Sequence, residues 1–315
     1  MFLSLTFFFA LLCGQEKQEP ETGFAEITLG ADLNSSLSAM DQIRSAFGKL
    51  SIESPDLFEG NHRGFQHIQM QTDPELGSCF VFYIHRDLDG DMDKTWPPGK
   101  ERQRNEIKGY KGSSETMKAQ NLETTSHTWN FKIDPSFSLT HQFCHFFQLK
   151  PVSEKNSPLP ILTLSGVVHS GKEELELRFF DKNSRRIKLA DWEDCKGKWL
   201  RIKCITSQAE KGEIHFSIQS TDGTVSVQHR IENLMTWDSD FSFVRPKWGI
   251  YRSLREKDRI RNEEDRVYMN NFTVRKWRRR VTTNKNYPRF IRQVFCLFLL
   301  AGHLPDQHSV SLALP

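Results

Sequence analysis

The sequence is poor in several features that would have assigned it to a familiar class. Its six cysteines (Cys13, Cys79, Cys144, Cys195, Cys204 and Cys296) include no Cys-x-x-Cys pair and no Cys/His ligand spacing, which excludes a thiolate zinc or cluster-binding module. It has no uninterrupted apolar run of the ~20 residues that a membrane-spanning helix needs, so no membrane span is expected. It has no internal repeat, which removes solenoids and propellers. Helical periodicity is nearly confined to "SLSAMDQIRSAFGKL", residues 36–50. A strong charge of one sign is also missing. The formal charge is +3, but the stretch from Lys276 onward carries +6 of its own, leaving a body of about −3. A mildly acidic body argues against nucleic acid as a partner.

What is present is 315 residues, 37% hydrophobic and 11% aromatic, the composition of a globular protein with a substantial core. The opening "MFLSLTFFFALLCG" has the length of a signal peptide, although no Lys or Arg precedes its apolar run. A secreted or cell-surface protein is expected, with Cys13 as a candidate lipid-attachment residue. Cys195 and Cys204 are the pair best placed for a disulfide in an oxidising compartment, with buried free thiols the equal alternative. "NSS" at Asn34 and "NFT" at Asn271 match the glycosylation pattern.

Most of the remaining sequence alternates or runs β-rich. "SCFVFYIHRD", "HTWNFKID", "FCHFFQLK", "LPILTLSGVV", "LELRFFD", "KWLRIKCIT", "EIHFSIQS", "TVSVQHRI" and "RVYMNNFTVRKW" are separated by turns such as "DKNS", "EKGE" and "TDGT". Closely spaced strands with polar turns point to an all-β sandwich of two antiparallel sheets, with one short helix near the N-terminus. The expected organisation is a signal peptide over 1–14, a β-sandwich over 20–277, and a basic and apolar tail over 278–315. In "RDLDGDMDKTWPPGK", Asp87, Asp89, Asp91 and Asp93 alternate around Gly90 without EF-hand spacing or its closing glutamate, and read as a solvated acidic loop.

Strand parity sorts the polar candidates. In "RQRNEIKGY", Arg104, Glu106 and Lys108 share one face, with Asn105 and Ile107 on the other. In "QFCHFFQLK", Gln148 and Lys150 share a polar face, while His145 falls with Phe147 and Leu149 toward the apolar side. A lone histidine there is more often a hydrogen-bonded core residue than a catalyst. In "FVRPKWGIYRS", Lys247, Gly249 and Tyr251 share a face. His85 ends "CFVFYIH" on the face of Tyr83.

These segments, with "HRDLDGDMD", "TWNFKID", "LPILTL", "GKWLRI" and "EEDRVYMNNF" between or after them, resemble in order the glucuronan lyases of polysaccharide lyase family 20, over roughly residues 78–277. The wider group includes alginate lyases and heparin lyase I. The resemblance implies a concanavalin A-like β-jelly roll whose concave sheet holds an acidic polysaccharide and cleaves it by β-elimination, acting as a monomer. Such chemistry needs a neutralised uronate carboxylate, a base for the C5 proton and an acid for the departing O4.

On that resemblance Tyr251 is the catalytic acid and, as phenolate, a possible base. His85 is the first choice of base, because Lys150 stands where alginate lyases have the histidine of Gln-x-His. Arg104, with Asn105 or Gln148, would neutralise the carboxylate. Lys247 would favour the phenolate and attract the polyanion, and Gly249 would leave room for the sugar. Lys108, Lys150, Arg252 and His145 complete the substrate-binding set. No cofactor is required; the resemblance to sandwiches that carry a structural calcium makes Asp238 and Asp240 its candidate ligands.

Overall fold

A computed structural model describes residues 24–58, 62, 64–91, 101–181 and 184–278. The leader with Cys13, Asp93, and the tail from 279 onward with Cys296 lie outside the described residues. The chain divides into a first unit ending at Arg279 and a second, residues 280–315, outside that description.

The strands are β1 (Phe24–Leu29), β2 (Ile52–Glu53), β3 (Ile68–Asp73), β4 (Gly77–His85), β5 (Arg102–Lys108), β6 (Glu123–Ile133), β7 (Cys144–Val152), β8 (Leu162–His169), β9 (Lys172–Phe179), β10 (Arg186–Asp191), β11 (Trp199–Ser207), β12 (Gly212–Ser220), β13 (Ser226–Leu234), β14 (Phe243–Ser253) and β15 (Glu264–Arg278). They form two sheets whose ladders are all antiparallel. One follows the order β13-β12-β11-β6-β15-β4-β3, with β1 also on β15; the other runs β10-β9-β8-β7-β14-β5-β2. The architecture of two antiparallel sheets is the one the strand patterning implies.

Alternation builds the core. In the seven-stranded sheet, Ile107, Trp248, Phe147, Leu164 and Leu177 lie side by side in register, and all are fully buried. They meet Trp129, Phe131, Phe80, Phe82 and Phe272 from the other sheet. Trp129 and Phe147 sit 4.6 Å apart between ring centroids, and Trp248 and Phe272 5.3 Å apart. Each such side chain contributes about 1.5–3 kcal/mol by leaving water.

Helix α1 (Ala39–Phe47) lies within the stretch expected to be helical. Ser38 caps it by accepting the Asp41 N–H at 3.2 Å, and Phe47 stacks on Trp248 at 5.7 Å. A second helix, α2 (Trp192–Cys195), is a single turn. No helix among the described residues is long and apolar enough to cross a membrane.

The thiols resolve one open alternative. Cys79, Cys144, Cys195 and Cys204 are all free and buried, so the Cys195–Cys204 disulfide does not form. The four side chains instead fill the packed interior as small apolar groups.

Candidate active site

The outward face of the seven-stranded sheet carries polar rows, and the strand register shows which residues they contain. One row runs Lys108, Lys247, Gln148, Thr163, Arg178 and Arg186. The next runs Arg104, Tyr251, His145, Ser165, Glu176 and Lys188. The structure therefore brings Tyr251, Arg104, Lys108, Lys247, Gln148 and His145 together, with Lys150 one step further along β7.

His145 departs from the parity expectation. Register shifts interrupt β7 between His145 and Phe147, against both β14 and β8. Phe146 and Phe147 are consecutive yet both buried in the core, so the alternation slips by one. His145 is thereby turned to the Tyr251 side, with ring centroids 6.1 Å apart. Its Nδ1 is 2.8 Å from the Ser165 hydroxyl, and its ring stacks on Phe143 at 4.8 Å. Burial, joined by Arg178, Arg104, Lys247 and Lys150, holds the His145 pKa down at about 3. The imidazole is neutral and able to accept a proton.

Tyr251 is half-buried. The Arg104 guanidinium lies over its ring, 3.7 Å from the centroid, and Arg102 donates to its hydroxyl at 2.9 Å. Burial raises the phenol pKa against the opposing pull of Arg104 and Arg102, so the hydroxyl keeps its proton. Lys150, whose ammonium donates to the Pro158 carbonyl at 2.5 Å, is brought down to about 8 by burial and then by Lys247, Arg104 and Arg245.

Beneath these groups is an ion cluster only half legible in the sequence. Arg104 donates to both oxygens of Asp91, at 2.8 and 3.1 Å, and to Glu106 at 2.6 Å. Lys247, only 2% exposed, sits 2.6 Å from both Glu53 and Glu106. Lys108 also pairs with Glu53, and Gln148 donates to Glu106 at 2.5 Å. Burial would raise the Glu53 pKa, but Lys247, Arg104 and Lys108 outweigh it and hold it well below the carboxylate range. Arg104 and Lys247 thus spend their charge on protein carboxylates. Glu53 lies on a two-residue edge strand with no sequence signal of its own, and Arg178 sits in a strand notable only for its apolar residues.

Several candidates are placed elsewhere. Asn105 is fully buried on the opposite side of β5, donating to the carbonyls of His67 and Tyr83 at 2.8 and 2.9 Å, as its parity requires. Arg252 is also interior, pairing with Asp265 and donating to Gln103 at 2.9 Å. His85 ends β4 in the other sheet, with Nδ1 3.1 Å from Asp89. The aspartate loop is not simply solvated: Asp89 and Asp91 are each 6% exposed because they serve buried partners, whereas Asp87 pairs at the surface with Arg86 and Lys257. Asp240 takes the Lys155 ammonium at 2.6 Å, and Asp238 accepts the Asp240 N–H at 2.8 Å. Gly249 does more than leave room for a ligand. Its φ is +136°, and a Cβ there would lie 2.1 Å from the Asn105 carbonyl oxygen, so the close approach is to strand β5.

Solved structures with this architecture include a variant of alginate lyase Aly36B in complex with an alginate trisaccharide. It matches with a TM-score of 0.50 at 12% identity, covering 80% of this chain and 99% of that one. The fold is the jelly roll that these structures share. The marine PL-14 alginate lyase from Aplysia kurodai gives 0.48 at 12% identity, over 78% of this chain and 97% of that one. The endo-β-1,4-glucuronan lyase from the fungus Trichoderma reesei gives 0.43 at 14% identity, over 71% and 93%. No family model matches the chain, and no curated protein sequence matches it. At such identities the likeness is one of fold, and the Aly36B match carries it.

Proposed function

We propose that this jelly roll is an endo-acting polysaccharide lyase, close in kind to the glucuronan lyases of family 20, that cleaves β-1,4-linked glucuronate. The observation that carries the reading is the pairing of a protonated Tyr251 with a neutral His145 on a cation-bearing face of the sheet. His145 accepts the C5 proton, the electron pair forms the C4–C5 double bond, the C4–O4 bond breaks, and Tyr251 protonates O4. The chain ends left are a 4,5-unsaturated uronate and a free hydroxyl.

Arg178 is suited to neutralise the uronate carboxylate, because it lies on the same outward face, across β8 from Gln148 and in the row beside His145. Arg104 holds Tyr251 in place rather than binding substrate, since its guanidinium already engages Asp91 and Glu106. An imidazole held at about 3, by burial first and then by the surrounding cations, is a weak base, and a bound uronate carboxylate would oppose only the cationic part of that effect.

Incubation with glucuronan, alginate or heparin should raise the ultraviolet absorbance of an unsaturated uronate on one of them. Tyr251→Phe should lower that rate by about 10²–10⁴-fold without changing the thermal midpoint. A flat absorbance on all three polymers would remove catalysis from the reading. Lys150, standing where alginate lyases have the histidine of Gln-x-His, favours one alternative, a jelly roll that binds acidic glycans without turnover. Measured affinity without product would select it.

A further inference from the structure

Three histidines and an aspartate converge away from the Tyr251 face. His62, His67 at the entry to β3, His85 at the end of β4, and Asp89 in the following loop each turn one ligand atom inward, and these atoms all lie within 4.8 Å of one another. They are the only such group among the described residues. We propose that they bind a divalent transition-metal ion of the zinc class, which fixes the loop carrying Asp91.

Hydrogen bonding alone does not account for the cluster. Asp89 takes His67 Nε2 at 2.9 Å and His85 Nδ1 at 3.1 Å, besides the His85 backbone N–H at 2.5 Å. His62 Nδ1 stands 3.8 Å from Asp89 and is buried with no hydrogen-bond partner. A buried polar atom aimed at other donors without a partner is costly. A cation among the four atoms gives it one.

The rings are arranged as around a common centre. His62 and His85 are 4.6 Å apart at 88°, His62 and His67 5.3 Å apart at 75°, and His67 and His85 5.4 Å apart at 89°. Phe65 packs against all three, an apolar wall over the group. On its far side His67 points Nδ1 at the Asp56 carboxylate, 3.3 Å away, in the position of the outer carboxylate that orients a metal-binding histidine.

Three imidazole nitrogens and one carboxylate suit zinc and its neighbours, whereas calcium and magnesium want oxygen donors. Four protein ligands fill a tetrahedron, the pattern of a structural site. Bonds of about 2.0 Å set tetrahedral ligands roughly 3.3 Å apart, so modest side-chain rotations close the site.

The site connects to the Tyr251 face through the backbone from Asp89 to Asp91 and the hydrogen bonds this segment makes. The carbonyl of Gly90, next to Asp89, accepts the Arg104 N–H at 3.1 Å, and Asp91 grips the Arg104 guanidinium beside the Tyr251 ring. Gln103 anchors the same loop by donating to the carbonyls of His85, Arg86 and Asp89. Metal occupancy would therefore stiffen the support of Arg104.

The test uses the full chain, stripped with a chelator and titrated with Zn²⁺ alone, then with Co²⁺ as a spectroscopic probe. The expected result is one equivalent of zinc, the visible absorption of tetrahedral cobalt, and a higher thermal midpoint with metal. His62→Gln, at a partly exposed position, should weaken binding by about 100-fold, and Asp56→Asn by about 10-fold. Failure of the wild-type chain to hold stoichiometric zinc, or undiminished affinity in His62→Gln, overturns the site. None of these readouts depends on lyase activity, so the two proposals stand or fall separately.

Discussion

At residue 249 the backbone adopts φ +136°, and the hydrogen in place of a side chain faces the β5 backbone. Gly249→Ala should therefore cost about 3 kcal/mol or more, from both strain and collision, read as a drop in the denaturant midpoint. A neutral result would mean that β14 and β5 lie further apart than described. Lys150 offers a prediction on binding. It is charged below about 8 and loses that charge as the pH rises through this value. Affinity for an acidic glycan should fall by about tenfold across the transition, the equivalent of one charged contact of about 1.4 kcal/mol. Lys150→Arg should flatten the profile, and calorimetric titration across pH 7–9 checks both.

Strand β7 shows how one element redistributes chemistry. "CHFFQLK" contains two adjacent phenylalanines that both find room in the core, Phe146 against Phe131 and Trp192 and Phe147 against Trp129 and Trp248. The resulting slip turns His145 from the apolar side to the polar one, which parity counted along a regular strand could not foresee. The faces of β5 and β14 needed no such correction. Arg104, Glu106 and Lys108 lie opposite Tyr251, Gly249 and Lys247, because the ladder between these strands is uninterrupted. The aspartate loop departs from its pattern as well: its alternating acids read as solvated, yet Asp89 and Asp91 are drawn inward by His67, His85 and Arg104.

For the whole molecule, the buried histidines set an acid limit. Burial holds His127 and His145 at about 3, although a hydrogen bond to the Cys204 backbone opposes the effect at His127. In the unfolded chain each titrates near 6.5, so between the two values the unfolded state binds the extra protons and stability falls as the pH drops. From pH 6.5 to 4.5, before most carboxylates protonate, the loss should be about 1.4 kcal/mol per pH unit for each histidine. Denaturant unfolding at a series of pH values measures this slope, and His127→Gln should make it shallower by about 1.4 kcal/mol per pH unit. A flat profile would show that these imidazoles are not buried neutral.

The alternation of apolar and polar residues was enough to imply two antiparallel sheets, a single early helix and a polar face bearing Tyr251, Lys247, Arg104 and Gln148, because side-chain direction along a regular strand is a local property. The partners of those residues were not local. Glu53 meets Lys247 across 194 positions of sequence, Asp265 draws Arg252 inside, and His62 and His67 reach His85 and Asp89 from a separate segment. Such meetings depend on register, bulges and loop closure, and only packing of the complete sandwich settles them.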